Sequence, residues 1–351
     1  MKIECIKVLY SLLSLLFVVA TINAGYLLML GIERCDTKVF SRDHSPGHRR
    51  VLRVDGVSAE RKLEEMAGRS RRAGDTEGEK IYGEALESLR ATGGLRLTML
   101  PVSPFLVLCT LGSLALALCL LILSRFTGHE TMQTVLGIFG GFMTWVGMEN
   151  GLVMAARDLG IARRYEIVDG MITGTRGEFL LLQHSWVFLV PVLAYLLFQE
   201  SVRCNLFLFI RRRLKLMRGP TASGRIDNYA PRVAFFYVSC IWTFYVLLLF
   251  AFDERVFGVG SWFTHVLFFL CLSGSGYLFY RLTRERSAGG RLRYSIAVTV
   301  VLWSDVEILM KWGRLSGSWL RYDPVFLTVL GAGVAVSAWL IYRSSRRPPG
   351  G

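Results

Sequence analysis

"PFLVLCTLGSLALALCLLIL", residues 104–123, runs for twenty residues without a charge, and its leucines recur on every face a helix could present. At 1.5 Å per residue a helix of that length covers about 30 Å, the thickness of a bilayer's hydrocarbon core. A segment apolar all round has no polar side to turn to water, so lipid is its solvent. It is not alone. Counted within 100–124, it is one of eight such runs, at 8–31, 100–124, 132–156, 179–199, 233–252, 259–280, 294–310 and 324–342. With 52% hydrophobic and only 19% charged residues in 351, the chain carries more apolar surface than one soluble core can hide. In lipid every backbone polar group must be satisfied within its own segment, and these runs are too long and too evenly apolar for barrel strands. The fold class expected is therefore an all-α integral membrane protein of about eight transmembrane helices.

The formal charge of +14 acquires meaning only once the basic residues are placed. With the N-terminus inside, the short cytoplasmic pieces hold 19 Lys and Arg and the three short outer loops hold 8, while the long 32–99 loop is exempt from the comparison. That asymmetry predicts cytoplasmic N- and C-termini. It also explains the basic surplus through anionic lipid headgroups at the cytoplasmic face, with no nucleic acid needed as a partner. The first run could open a signal peptide, but "GYLLMLGI" prolongs it past Ala24 to about 25 residues, the length of an uncleaved anchor. Of seven cysteines only Cys35 falls in an outer loop, which leaves no pair for a disulfide framework there. Arg outnumbers Lys 34 to 7, a codon signature that points to a bacterial inner membrane.

The expected organisation is an anchor helix over 1–31, an extracytoplasmic segment over 32–99, a seven-helix bundle over 100–343 and a short cytoplasmic tail over 344–351. The extracytoplasmic segment is nearly neutral, with 14 basic and 12 acidic residues, and reads as mixed α/β. "RRVLRVDGVSAERKLEEMAG" (49–68) gives a strand, an Asp55-Gly56 turn and a helix capped by Ser58, and "EGEKIYGEALESLRATGG" (77–94) gives a second helix. Its apolar stripe through Ile81, Tyr82, Ala85, Leu86 and Leu89 is too small for an independent core and calls for a protein partner or the bundle itself. Asp169-Gly170 sits between two β-prone runs, as in a two-residue hairpin. In the basic cytoplasmic loop at 200–232, "VRCNLFLFIRRRLKLMRG" reads as an interfacial helix. Glycines at 137, 140, 141, 147 and 151 mark the third span as a close-packing helix.

Ionisable residues inside spans are costly and point to function by default. Counted from the nearest outer charge, Glu149 lies about 12 Å below Arg157, His184 about 9 Å below Glu178, and Asp305 about 9 Å below Lys311. His265 follows Arg255 by ten residues. Glu149, Asn150, His184, His265 and Asp305 thus form the candidate intramembrane polar site, all in the outer third of the membrane. Glu307 and Lys311, spaced i,i+4 with the acid first, read as a structural ion pair. Asp305 projects about 160° away from Glu307 around the helix and needs a partner from elsewhere or a watered cavity. Imidazole with carboxylate would suit a divalent metal, though no ligand spacing supports it, and two histidines at like depth are a weaker signal still for haem. The expected function is ion-coupled transport or small-ligand sensing through an outward-facing site. The alternatives are a membrane-embedded enzyme, metal-dependent or not, acting on a lipid or lipid-linked substrate, and a structural or assembly subunit of a membrane complex.

Overall fold

The computed structural model describes residues 2–42, 49–53, 94–98, 102–159, 164–168, 171–175, 177–198, 228–253, 256–285 and 287–315, with scattered positions between 63 and 90 and at 161, 211 and 213. In chain order they form α1 (Lys2–Arg42), β1 (Arg49–Arg53), β2 (Gly94–Thr98), α2 (Pro104–Leu123), α3 (Glu130–Asp158), β3 (Arg164–Val168), β4 (Met171–Thr175), α4 (Gly177–His184), α5 (Trp186–Phe198), α6 (Ala230–Phe252), α7 (Trp262–Arg284) and α8 (Ala288–Lys311). The architecture is predominantly helical. Five stretches, Val8–Met29, Pro104–Phe126, Gly177–Phe198, Ala230–Phe252 and Trp262–Arg284, are helical, long and apolar enough to cross a membrane, as in a multi-pass membrane protein.

The runs at 132–156 and 294–310 also form helices, α3 and α8, but their glycine and polar content keeps them less apolar than those five. The run at 324–342, the interfacial segment at 200–218 and most of the two helices expected between 58 and 94 lie outside the described residues. The first helix differs in length from the sequence reading. It continues well beyond residue 31, through "ERCDTKVFSR", to span 41 residues and about 60 Å, because no Pro-Gly pair interrupts it before Pro46-Gly47. β1 and β2 pair antiparallel with Arg49 opposite Thr98 and Arg53 opposite Gly94, so the residues read as a glycine stop at 94 begin a strand instead. β3 and β4 pair with Val168 opposite Met171, the register that a two-residue turn imposes.

The described residues divide into two compact units. The first comprises Met1–Leu30, Thr110–Met148 and Leu182–Gly351. Within it, the glycines of α3 admit two neighbours. A Cβ on Gly137 would lie 2.6 Å from the Ala230 carbonyl oxygen, and one on Gly141 would lie 2.9 Å from that of Ala234, so α6 rests directly on this face. Gly140 and Gly147 receive Leu121 and Leu114 of α2 on another. From α1, Phe17 meets Phe139 edge to face with ring centroids 5.9 Å apart. α2 contributes only this side; Leu108, Leu111, Leu118 and Leu123 are exposed, as expected of a helix solvated by lipid.

Hydrogen bonds pin the ends of these helices. Gln133 Nε2 donates to the Thr127 carbonyl (2.8 Å) while its Oε1 accepts from the Tyr229 amide (3.1 Å), and Asn228 Nδ2 donates to Ser124 Oγ (3.1 Å). Arg293 of α8 reaches the same end, with Nη2 2.6 Å from Glu130 Oε1, Nη1 donating to Thr134 Oγ1 (3.0 Å) and the guanidinium 4.6 Å above the Tyr229 ring. α4 and α5 are separated by a turn at Ser185, whose hydroxyl donates to the Leu182 carbonyl and accepts from Trp242 Nε1 at 2.7 Å. α7 and α8 begin with serine caps, Ser261 accepting from the Thr264 amide and Ser287 from the Gly290 amide.

The second unit comprises Gly31–Cys109 and Glu149–Leu181. Asp36 on the far end of α1 is 1% exposed, with Arg157 Nη1 2.7 Å from its Oδ2 and Ser103 Oγ hydrogen-bonded to its Oδ1. Gly177 packs so closely that a Cβ would lie 2.4 Å from the Ile161 carbonyl.

Candidate functional site

Asp305 is where the structure is most unusual. α8 turns Val301, Asp305 and Ile308 to one side, the i, i+4, i+7 stripe of a helix packed on neighbours. Those neighbours are apolar: Val301 and Ile308 join Leu248 and Ala251 of α6 with Leu267 and Cys271 of α7 in one buried cluster, edged by Phe244, Phe252, Phe263, Phe268 and Trp312. In the middle of that stripe the Asp305 carboxylate is 3% exposed, and neither oxygen has a hydrogen-bond partner among the described residues.

Several buried hydroxyls of α7 and α8 are engaged elsewhere. Ser304 donates to the Val300 carbonyl (3.0 Å), Thr264 to the carbonyls of Ala251 (3.0 Å) and Gly258 (2.8 Å), and Ser275 to that of Leu272 (2.9 Å). Cys271, within electrostatic reach of Asp305, supplies only a weak donor. An ionised carboxylate held this way has, among the described residues, neither a counter-charge nor a hydrogen bond to offset its burial. Protonation or a bound cation would each relieve that cost.

The two histidines do not share this surrounding. His265 is exposed on the first turn of α7, its Nδ1 2.8 Å from the Ser261 carbonyl and its ring stacked 4.7 Å from Trp312. His184 is exposed at the end of α4, and its neighbour Gln183 is the buried one, donating to Asp253 Oδ2 at 2.9 Å. Glu149 is half-buried and Asn150 is 5% exposed with its Nδ2 unpartnered among the described residues; both belong to the second unit.

Glu307 and Lys311 do not form the direct ion pair expected. Glu307 Oε1 accepts from Trp303 Nε1 at 2.9 Å, while Lys311 Nζ sits 5.5 Å from the Phe252 ring centroid on α6. Side chains on a helix lean toward its N-terminus, which brings the carboxylate to the indole one turn back, and the lysine, at the helix end, finds the aromatic face of a neighbour. The two charges interact only at longer range.

Two polar contacts escaped the sequence reading. Asp36 fell in the segment assigned to the outside and Arg157 served there only as a boundary marker, yet they form a buried ion pair. Gln183 was visible as a polar residue in a span, but its partner Asp253 lies in the turn after α6, and no local spacing links them. Among the described residues, no three His, Cys, Asp or Glu side chains gather as a metal site. Comparison of the chain with protein-family models, characterised proteins and solved structures finds no match.

Proposed function

We propose that this chain is an ion-coupled membrane transporter, or a sensor that reads a small ligand through the same coupling, and that Asp305 is the ion-exchanging group. One observation carries the reading: a carboxylate with no partner among the described residues, enclosed by α6, α7 and α8 in a protein with several membrane-crossing helices. A merely structural aspartate would hold a cation or a helix cap, as Asp36 does. Proton or cation exchange gives an intramembrane carboxylate a reason to be there.

In this reading eight helices cross the membrane, both termini are cytoplasmic, and residues 32–99 form a small mixed α/β segment outside, where a protein partner could dock. The membrane is a bacterial inner membrane whose anionic headgroups meet the basic cytoplasmic loops, and no nucleic acid is bound.

The test is infrared difference spectroscopy on the reconstituted protein between acid and alkaline buffer, paired with proton flux into liposomes that hold an entrapped pH dye. Wild type should show a carboxylic-acid carbonyl band and a flux, both of which Asp305→Asn removes. Identical spectra and fluxes in the two proteins would overturn the proposal.

A further inference from the structure

α7 divides sharply into two faces. Thr264, Leu267, Cys271, Ser275 and Leu282 are buried against the bundle, while Val266, Phe269, Leu270, Ser273, Gly276, Tyr277 and Tyr280 are exposed on the opposite side. The exposed face is not smooth. Ser273 and Gly276 make a notch one turn high between Phe269 and Leu270 above and Tyr277 and Tyr280 below. A Cβ on Gly276 would meet nothing within 4 Å, and the Ser273 hydroxyl is turned back onto its own helix, donating to the Phe269 carbonyl. The notch is therefore open and presents no unsatisfied donor to lipid.

At the end of the same face stand two exposed arginines, both held in place. Arg284 lies with its guanidinium 4.4 Å from the Tyr280 ring centroid, and Arg281 lies beside Tyr294 of α8. Stacking uses the face of a guanidinium and leaves its edge N–H donors, the fork that fits a phosphate. Among the described residues no hydrogen bond or ion pair occupies the Arg284 donors. Neighbouring arginines are differently employed: Arg293 is paired with Glu130, and Arg291 lies half-buried 5.1 Å from the Tyr10 ring. Glu285, the acid nearest in sequence, accepts from Ser287 at the start of α8 and also lies within electrostatic reach of Arg281.

The distances suit one molecule. Ser273 lies eleven residues, or about 16 Å along the helix, from Arg284. Half of a hydrocarbon core about 30 Å thick is about 15 Å. A phosphate at the arginines would thus send an acyl chain along the tyrosines and end it in the notch. Aromatic residues at this level match the belt where headgroup meets chain.

We propose that the face of α7 from Phe269 to Arg284 is a binding site for a single anionic phospholipid, its phosphate on Arg281 and Arg284 and one acyl chain over Ser273 and Gly276. The site lies in the cytoplasmic leaflet in the topology proposed above, and it stands independently of any role for Asp305.

The test uses the full chain in nanodiscs of phosphatidylcholine with and without one-fifth phosphatidylglycerol. Lipid retention is read by native mass spectrometry and stability by thermal melting. Wild type should retain one phosphatidylglycerol and melt higher in its presence. Each arginine near an anionic surface contributes roughly five-fold in affinity, so the Arg281→Gln, Arg284→Gln double variant should bind on the order of thirty-fold more weakly. It should melt like wild type in phosphatidylcholine alone, which shows that it folds. The double variant Arg125→Gln, Arg232→Gln removes two other exposed arginines and should leave retention unchanged. Equal loss in that control would mean diffuse charge attraction and overturn the site. So would an equal melting shift produced by inorganic phosphate without the lipid, since no acyl chain would then be needed.

Discussion

Asp305 and Asp36 are both buried aspartates, and their surroundings predict opposite responses to neutralisation. Asp36 faces Arg157 and Ser103, so Arg157→Gln would leave a carboxylate that is 1% exposed without its counter-charge. Stranding one partner of a buried pair costs roughly 3–5 kcal/mol, and the double variant Asp36→Asn, Arg157→Gln should recover much of that in thermal melting. Asp305 has no such counter-charge among the described residues, so Asp305→Asn removes a charge that nothing in its surroundings offsets. The melting temperature should hold or rise while ion flux is lost, because a neutral amide costs less there than a carboxylate. A drop in stability as large as that of Arg157→Gln would move Asp305 into a structural role and favour the assembly-subunit reading. Glu307→Gln is the mild control, since an amide oxygen still accepts from Trp303.

At the scale of elements, glycines on different helices answer to different physics. Replacing a helical glycine by alanine gains roughly 0.5–1 kcal/mol where space is free. Gly112 on α2 has nothing within 4 Å of the added methyl, so Gly112→Ala should raise stability by about that amount. Gly141→Ala would push its methyl to 2.9 Å from the Ala234 carbonyl oxygen, 3.0 Å from Ala234 Cα and 3.0 Å from Tyr237 Cβ, three contacts of which the first two belong to backbone that cannot swing aside. Overpacking of this kind costs roughly 1–3 kcal/mol, more than the helix gains, so the sign reverses. Equal effects at both positions in melting experiments would mean that α3 and α6 do not meet at Gly141. The glycine pattern of α3 was legible because close packing in lipid demands small residues at fixed spacing. Which helix fills each face was not, since Leu121, Ala230 and Ala234 carry no mark of their partner.

At the scale of the whole molecule, what could be read from sequence follows the range of the underlying force. Apolarity is local and additive, so the run at 104–123 declared itself a membrane segment from composition alone. Asp305 lies on the stripe between Val301 and Ile308, which pack with Leu248 and Cys271 of two other helices, and the carboxylate's own helix shows only that no base stands three or four residues away. His184 and His265 shared its expected depth, but depth fixes only one coordinate; rotation about each helix axis leaves both histidines exposed.

The proposed topology rests on the same reasoning and meets its test at this scale. Charge asymmetry between short loops sets orientation, because Lys and Arg resist transfer across the membrane. Reporter fusions after Asp75, Asp169 and Ser316 should therefore report the outer side, and fusions after Ala222 and Gly289 the cytoplasm. Among the described helices, α3 and α8 are the ones on which the count of eight depends, being the less apolar. If α8 does not cross, Gly289 and Ser316 report the same side; if α3 does not cross, the side of Asp169 changes relative to Arg125. Adding lysines to the outer loop at 157–176 should then raise misoriented product only if that loop is outside, since a cytoplasmic loop accepts further positive charge without cost. A cytoplasmic signal at Asp75 would reverse the leading anchor, and with it the assignment of Arg281 and Arg284 to the inner leaflet.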